Sequence, residues 1–223
     1  MNSMRKKQSF FASSVGRKLI VGLSGFFLCL FLVFHLTVNL FLFKADGGKL
    51  FDSYAEFLAT YPLIRPVEIV LFLLFLVHAI YALWLWYLNR AARPERYAVK
   101  RSGEVSTMSS RIMFITALVV LAFLVIHVNT FFVQSRFFGG ENDPTMFERV
   151  AKALADPVTD VFYILALIFL AFHLRHGFQS LFQTWGLRNT RYLKLIEGVA
   201  VIFWLLIPLG FALMPLYFLF RAH

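Results

Sequence analysis

Polar and apolar positions in this chain alternate by whole segments. Five stretches, approximately Leu19 to Phe43, Val67 to Leu88, Ile112 to Val133, Val158 to Phe182 and Leu195 to Phe220, are nearly continuous in Leu, Val, Ile, Phe and Ala, with polar breaks between them. Each is close to or above the length of about 20 residues that an α-helix needs to cross a hydrocarbon core of about 30 Å. The pattern predicts an all-α integral membrane protein, one transmembrane domain over residues 1–223 with five spanning helices. Chain breakers mark the same boundaries: "DGG" at Asp46 to Gly48, Pro62, Pro66, Pro94, "GGENDP" at Gly139 to Pro144, and Pro157 opening the fourth span. Pro208 and Pro215 lie inside the fifth span, where each removes a backbone donor and a kink is expected. Between Gly139 and Asp156, the segment "PTMFERVAKALADP" has the apolar spacing of a short amphipathic helix on the outer surface. No internal repeat or low-complexity tract interrupts this plan.

Composition supports lipid as the solvent. Of 223 residues, 60% are hydrophobic and 28 are Phe, and the mean hydropathy is +0.72; soluble domains are about half apolar. Arg5, Lys6 and Lys7 precede the first span as they would a signal peptide. The apolar run is longer than an h-region of about 7–15 residues and no small-residue cleavage site follows, so it reads as a retained span. The single cysteine, Cys29, allows no internal disulfide and belongs to no haem-attachment C-x-x-C-H, so it reads as a small core residue.

The net charge of +10 acquires meaning from its placement. Cations gather before the first span (Arg5, Lys6, Lys7, Arg17, Lys18), in the second connection (Arg90, Arg93, Arg96, Lys100, Arg101, Arg111) and in the fourth (Arg188, Arg191, Lys194). The first and third connections are poorer in cations and carry Asp46, Asp52, Glu56, Glu141, Asp143, Glu148, Asp156 and Asp160. The positive-inside rule then puts the N-terminus in the cytoplasm and the C-terminus outside, which an odd number of spans requires.

His223 is a terminal tail, whereas His35, His78, His127, His173 and His176 all fall inside spans. A lone intramembrane histidine is compatible with an interhelical hydrogen bond, a proton relay or a ligand. Here the first four spans each carry one near mid-depth and the fifth carries none, which separates a four-helix core from an added helix. His35 lies about 18 residues beyond Arg17 and His127 about 16 beyond Arg111, or roughly 27 and 24 Å from the cytoplasmic end. On the inward-running helices His78 and His173 lie roughly 17 to 20 Å from that end. In an up-down bundle the first and third helices are diagonal, as are the second and fourth, so each diagonal carries two histidines at matching depth. Two haems stacked through the membrane with imidazoles on both faces need this arrangement. Zinc or copper would gather several ligands at one depth. A proton relay, packing, or a haem-free transporter or proton channel remain open on spacing alone.

"GFFLCLFLVFHLTVNLFLF", "HAIYALWLWYLNRAARPERY", "IHVNTFF" and above all "HLRHGFQSLFQTWG" from His173 resemble the diheme cytochrome b anchor of succinate:quinone oxidoreductases and quinol:fumarate reductases, over nearly the whole chain. That resemblance implies two haem b, the inner held by His78 and His173 and the outer by His35 and His127, whose iron these four residues ligate. It implies an iron-sulfur subunit and a flavoprotein subunit as partners, quinone (menaquinone by analogy) as the electron partner, and a bacterial cytoplasmic membrane. It also makes the chain the quinone-reactive subunit, not the one that acts on succinate; an anchor for another dehydrogenase is the rival. The family ligand stands four residues before a glycine, here His173 before Gly177, and a missing side chain lets a macrocycle approach the helix. His176, one turn away, reads as a neighbour of the inner haem. Arg175 is expected to face protein, a propionate or the interface; Arg17, Arg111 and Gln179 are weaker propionate candidates, with a solvated or snorkelling role equally open to the arginines. Glu56 and Glu68 lie toward the outer face, where a carboxylate exchanges protons with quinone; the alternatives are a solvated Glu56 and a Glu68 paired with Arg65.

Overall fold

A computed structural model describes residues 10–92, 112–140, 143–187 and 189–221. Five helices are long and apolar enough to cross a membrane: α1 Ser14–Phe43, α3 Ile64–Ala91, α4 Met113–Phe137, α6 Pro157–Thr184 and α7 Leu193–Arg221. Two shorter helices, α2 Lys49–Thr60 and α5 Met146–Ala153, lie together at one end of the bundle. The chain is a multi-pass membrane protein, with large apolar side chains such as Ile69, Leu73, Ile80, Leu165 and Leu209 exposed along its spans. Those surfaces need lipid, since intrahelical hydrogen bonds satisfy the backbone and leave only side chains outside.

Local sequence fixes where the helices begin. Ser13 caps α1, its hydroxyl accepting from Gly16 N at 3.0 Å. Asp156 caps α6 by accepting from Thr159 N at 2.9 Å, with Pro157 in the first turn. In α5, the segment expected to be amphipathic, Thr145 and Glu148 form a reciprocal capping box. Gly48 enters α2 at φ +86°, and a Cβ there would lie 2.2 Å from Phe147 Cγ, so only glycine lets α2 meet α5 so closely. Asp52 Oδ1 then accepts from Phe147 N at 2.7 Å, tying the two short helices together.

Packing builds a ring. α1 lies against α3 and α6, and α6 also lies against α4. α3 meets α4 through Trp86 stacked on Phe114 at 4.1 Å and Phe72 near Phe132 at 5.2 Å. The diagonals are therefore α1 with α4 and α3 with α6. α7 stands outside the ring against α6 and α1, where Gly210 lets Leu36 approach. The end carrying α2 and α5 is closed by Leu42, Phe51, Val150, Leu154, Met214 and Phe218. Cys29 is buried, as a small core residue should be.

Two spans contain wider turns. In α7 a π turn, Ile202–Leu206, immediately precedes the segment that contains Pro208, whose ring nitrogen has no hydrogen to give Trp204 O. Pro215 sits inside continuous helix. In α4 a π turn, Val128–Val133, begins one residue after His127.

Candidate functional site

The helix ring brings four of the histidines into two facing pairs, one on each diagonal. His35 on α1 and His127 on α4 have ring centroids 5.8 Å apart with planes at 88°. His78 on α3 and His173 on α6 are 6.2 Å apart with planes at 74°. Two metal–nitrogen bonds of about 2 Å, plus the half-widths of two imidazoles, sum to about 6 Å. Both spacings fit an iron held between axial imidazoles. The crossed planes would not prevent this, because a bond from iron to one nitrogen of each ring sets no angle between the two ring planes. Among the described residues no three of His, Cys, Asp and Glu converge, so the donor set is paired histidine and not a closed cluster.

The surroundings of His78 show how the sequence aims an imidazole. Its Nδ1 lies 3.1 Å from Val21 O and 3.2 Å from Ser24 Oγ, both on α1. With the proton on Nδ1 it donates to Val21 O and leaves Nε2 unprotonated, the tautomer a metal ligand requires. Gly25 makes room for this: a Cβ there would lie 3.1 Å from His78 Cε1. Opposite, His173 Nδ1 is buried with no hydrogen-bond partner among the described residues. A Cβ on Gly177, one turn along α6, would meet no atom within 4 Å. One turn from His173 the surface of α6 at Gly177 is therefore open, as a flat macrocycle approaching the helix would need.

The second pair is packed in aromatic rings. Phe31 stacks on His35 at 5.3 Å and Phe211 lies 5.5 Å away, while Phe123 stacks on His127 at 5.4 Å. Tyr163 Oη on α6 is 3.3 Å from His127 Nδ1, a partner able to accept its proton. Asn39 donates through Nδ2 to His35 O at 2.8 Å, the same nitrogen standing 3.4 Å from His35 Nδ1.

The remaining sequence candidates divide. His176 is half-buried, and among the described residues the imidazole in ring contact with His78 is that of His173. Arg175 is exposed, its guanidinium 5.2 Å over the Trp204 ring of α7. Arg17 lies 4.9 Å over Trp84, two turns below His78 on the same helix. Gln179 is half-buried on α6, and Arg111 is outside the described residues. Glu68 is 2.6 Å from Arg65 Nη1, the i,i+3 pair that its spacing allowed. Glu56 is exposed on α2. Val21, Ser24, Gly25, Asn39 and Tyr163 were not singled out in the sequence. The adjacent small residues Ser24 and Gly25, in a span otherwise bulky, were the signal for the first three.

Comparison with known proteins gives the arrangement a context. Residues 87–207 match the family model described as succinate dehydrogenase/fumarate reductase transmembrane subunit. The succinate dehydrogenase cytochrome b558 subunit of Bacillus subtilis (strain 168) is 28% identical over 183 residues, covering 77% of this chain and 83% of the relative. No solved structure matches. The family match extends over more than half of the chain and includes all of α4 and α6 and the first half of α7. The chain belongs to the succinate dehydrogenase/fumarate reductase transmembrane subunit family.

Proposed function

We propose that this membrane subunit of succinate dehydrogenase or fumarate reductase carries electrons between an iron-sulfur subunit and membrane quinone through two b-type haems. His78 and His173 hold one, His35 and His127 the other. The observation that carries this reading is the pair of diagonal imidazole spacings, 5.8 and 6.2 Å, each of which fits one six-coordinate iron. When bound, a haem with imidazole on both faces supplies one-electron transfer and has no open position for oxygen.

The chain's own residues do the rest. Val21 and Ser24 hold the tautomer of His78, and Tyr163 does so for His127. Gly25 gives His78 its place against α1, and Gly177 leaves open space one turn from His173 for a flat ring. Arg17 and His176 lie on the cytoplasmic side of that pair, where they would meet the propionates of a bound haem, and Arg175 supports the α6–α7 contact beside it. By the distribution of Lys and Arg the N-terminus is cytoplasmic and the C-terminus outside, so the His78/His173 pair faces the iron-sulfur and flavoprotein partners. The α2/α5 end then faces outward, with Glu56 and Glu68 near it to exchange protons with menaquinone. Glu68 does so only when its pair with Arg65 opens. An electron crossing the full membrane works with or against about 2.3 kcal/mol per 100 mV, so the side on which quinone reacts sets the energetics.

Separate substitution of the two histidines on α6 tests the ligand set. His173→Ala is expected to lose one haem and keep the other, while His176→Ala keeps both. Loss of a haem from His176→Ala, with both retained by His173→Ala, would overturn the assignment.

A further inference from the structure

The first turn of α6 contains a carboxylate that neither capping nor ion pairing explains. Asp160 is 4% exposed, and neither of its oxygens has a hydrogen-bond partner among the described residues. Among the described residues, the following charged groups around this end of the bundle are engaged elsewhere or stand in solvent. Arg149 of α5 is bonded to Asp143, Arg136 of α4 donates to Ala59 O at 3.2 Å, and Arg221 of α7 donates to Tyr217 Oη at 2.5 Å. Glu148 closes the capping box of α5, and Lys152 is exposed. A buried ionised carboxylate with no donor or cation beside it is unfavourable, so its proton inventory responds to any charge that changes nearby.

Its position says which charge that is. Asp156, Asp160 and Tyr163 stand at i, i+4 and i+7, along one face of α6. Asp156 is exposed and reaches solvent; Tyr163 is half-buried and touches His127 Nδ1 at 3.3 Å. The face thus carries, in order from the aqueous end, an exposed carboxylate, a buried one and the hydrogen-bond partner of an imidazole in the His35/His127 pair. Glu56, exposed on α2, and Glu68, paired with Arg65 on α3, stand on other helices.

We propose that Asp160 is the proton-exchanging group of the electron carrier held by His35 and His127, an inference that rests on the two-haem reading above. As one electron arrives from the other haem, the Asp160 carboxylate takes one proton from the outer aqueous phase. As the electron leaves, the proton returns by the same route. One electron and one proton move together, and no other bond is made or broken.

Potentiometric titration of the purified holo-complex over a series of pH values tests this, reading the two haems separately. The wild-type potential assigned to the His35/His127 site is expected to fall with pH, with a limiting slope of about 59 mV per tenfold change in proton activity for a one-electron, one-proton couple. Asp160→Asn should flatten that slope and leave the other haem unchanged, while Asp160→Glu should keep it. Redox-difference infrared spectra should show a protonated-carboxyl band gained on reduction in the wild type and missing in Asp160→Asn. A pH-independent wild-type potential with both haems bound overturns the proposal and spares the two-haem reading, as does an unchanged slope in Asp160→Asn. A wild-type complex with no haem at this site overturns both.

Discussion

Gly25→Ala turns the geometry around His78 into a number. The new Cβ would lie 3.1 Å from His78 Cε1 and 3.4 Å from Nδ1. Carbon atoms rest at about 3.5–4.0 Å, so the imidazole must retreat by about half an ångström. Crowding of this kind costs about 1–3 kcal/mol. The retreat also stretches the 3.1 and 3.2 Å contacts of Nδ1 with Val21 O and Ser24 Oγ beyond useful range, at about 1 kcal/mol. Replacing glycine in a helix returns up to about 1 kcal/mol. The net loss of about 1–3 kcal/mol falls on the position and tautomer of one ligand, a weakening of haem binding of roughly 5- to 150-fold at that site. The assay is haem retention during graded dilution or competition by apo-acceptor, resolved by the spectra of the two haems. Full retention at the His78/His173 site with an unchanged spectrum would refute the reasoning.

Three further outcomes follow from the same contacts. Gly177→Leu should deplete the haem at the His78/His173 site while thermal unfolding of the haem-free chain stays within about 1 kcal/mol of wild type, since a Cβ there meets no protein atom within 4 Å and the side chain starts in open space. Asp52→Ala should remove the cap that Phe147 N receives and loosen α5 by about 1–2 kcal/mol, seen as faster amide exchange in Met146–Ala153 with the haem content unchanged. The Asp156 carboxyl is held below its usual range, first by the Thr159 hydroxyl at 2.7 Å and then by backbone donors. A lowered folded value means stabilisation present above the unfolded pKa and lost as pH falls through the folded one. Amide exchange at the start of α6 should therefore accelerate in acid below the ordinary aspartate range, and Asp156→Ala should remove that dependence.

The spans were legible because each apolar run exceeds what a soluble helix would carry, and the helix ends differ from expectation for a related reason. α3 was expected from Val67 to Leu88 and runs Ile64–Ala91; α1 was expected from Leu19 and begins at Ser14. Hydrophobicity marks where lipid ends, whereas hydrogen bonds continue until a cap such as Ser13 stops them. α2 was not anticipated, because "KLFDSYAEFLAT" is only 12 residues and its apolar positions are read as a helix only once Phe51 has α5 and α7 to pack against. Pro208 was expected to kink α7, and the helix meets the missing donor with a π turn just before it.

At the site, depth alone placed the histidines, since rise per residue is nearly constant in any helix. Their partners were hidden. The contacts of Ser24 and Val21 with His78 span more than 50 positions of sequence, and that of Tyr163 with His127 spans 36. Only the packing of α1 on α3 and of α4 on α6 creates them. The unpartnered state of Asp160 was equally invisible, because an aspartate in the first turn of a helix is ordinarily solvated and only the packing around α6 buries this one.

The central claim is that four histidines on two diagonals hold two irons. The ratio of b-type haem to polypeptide, measured by pyridine haemochromogen on the holo-complex purified with its partner subunits, tests it most directly. Two haems per chain is the predicted value; one or none in a fully folded complex would contradict the account.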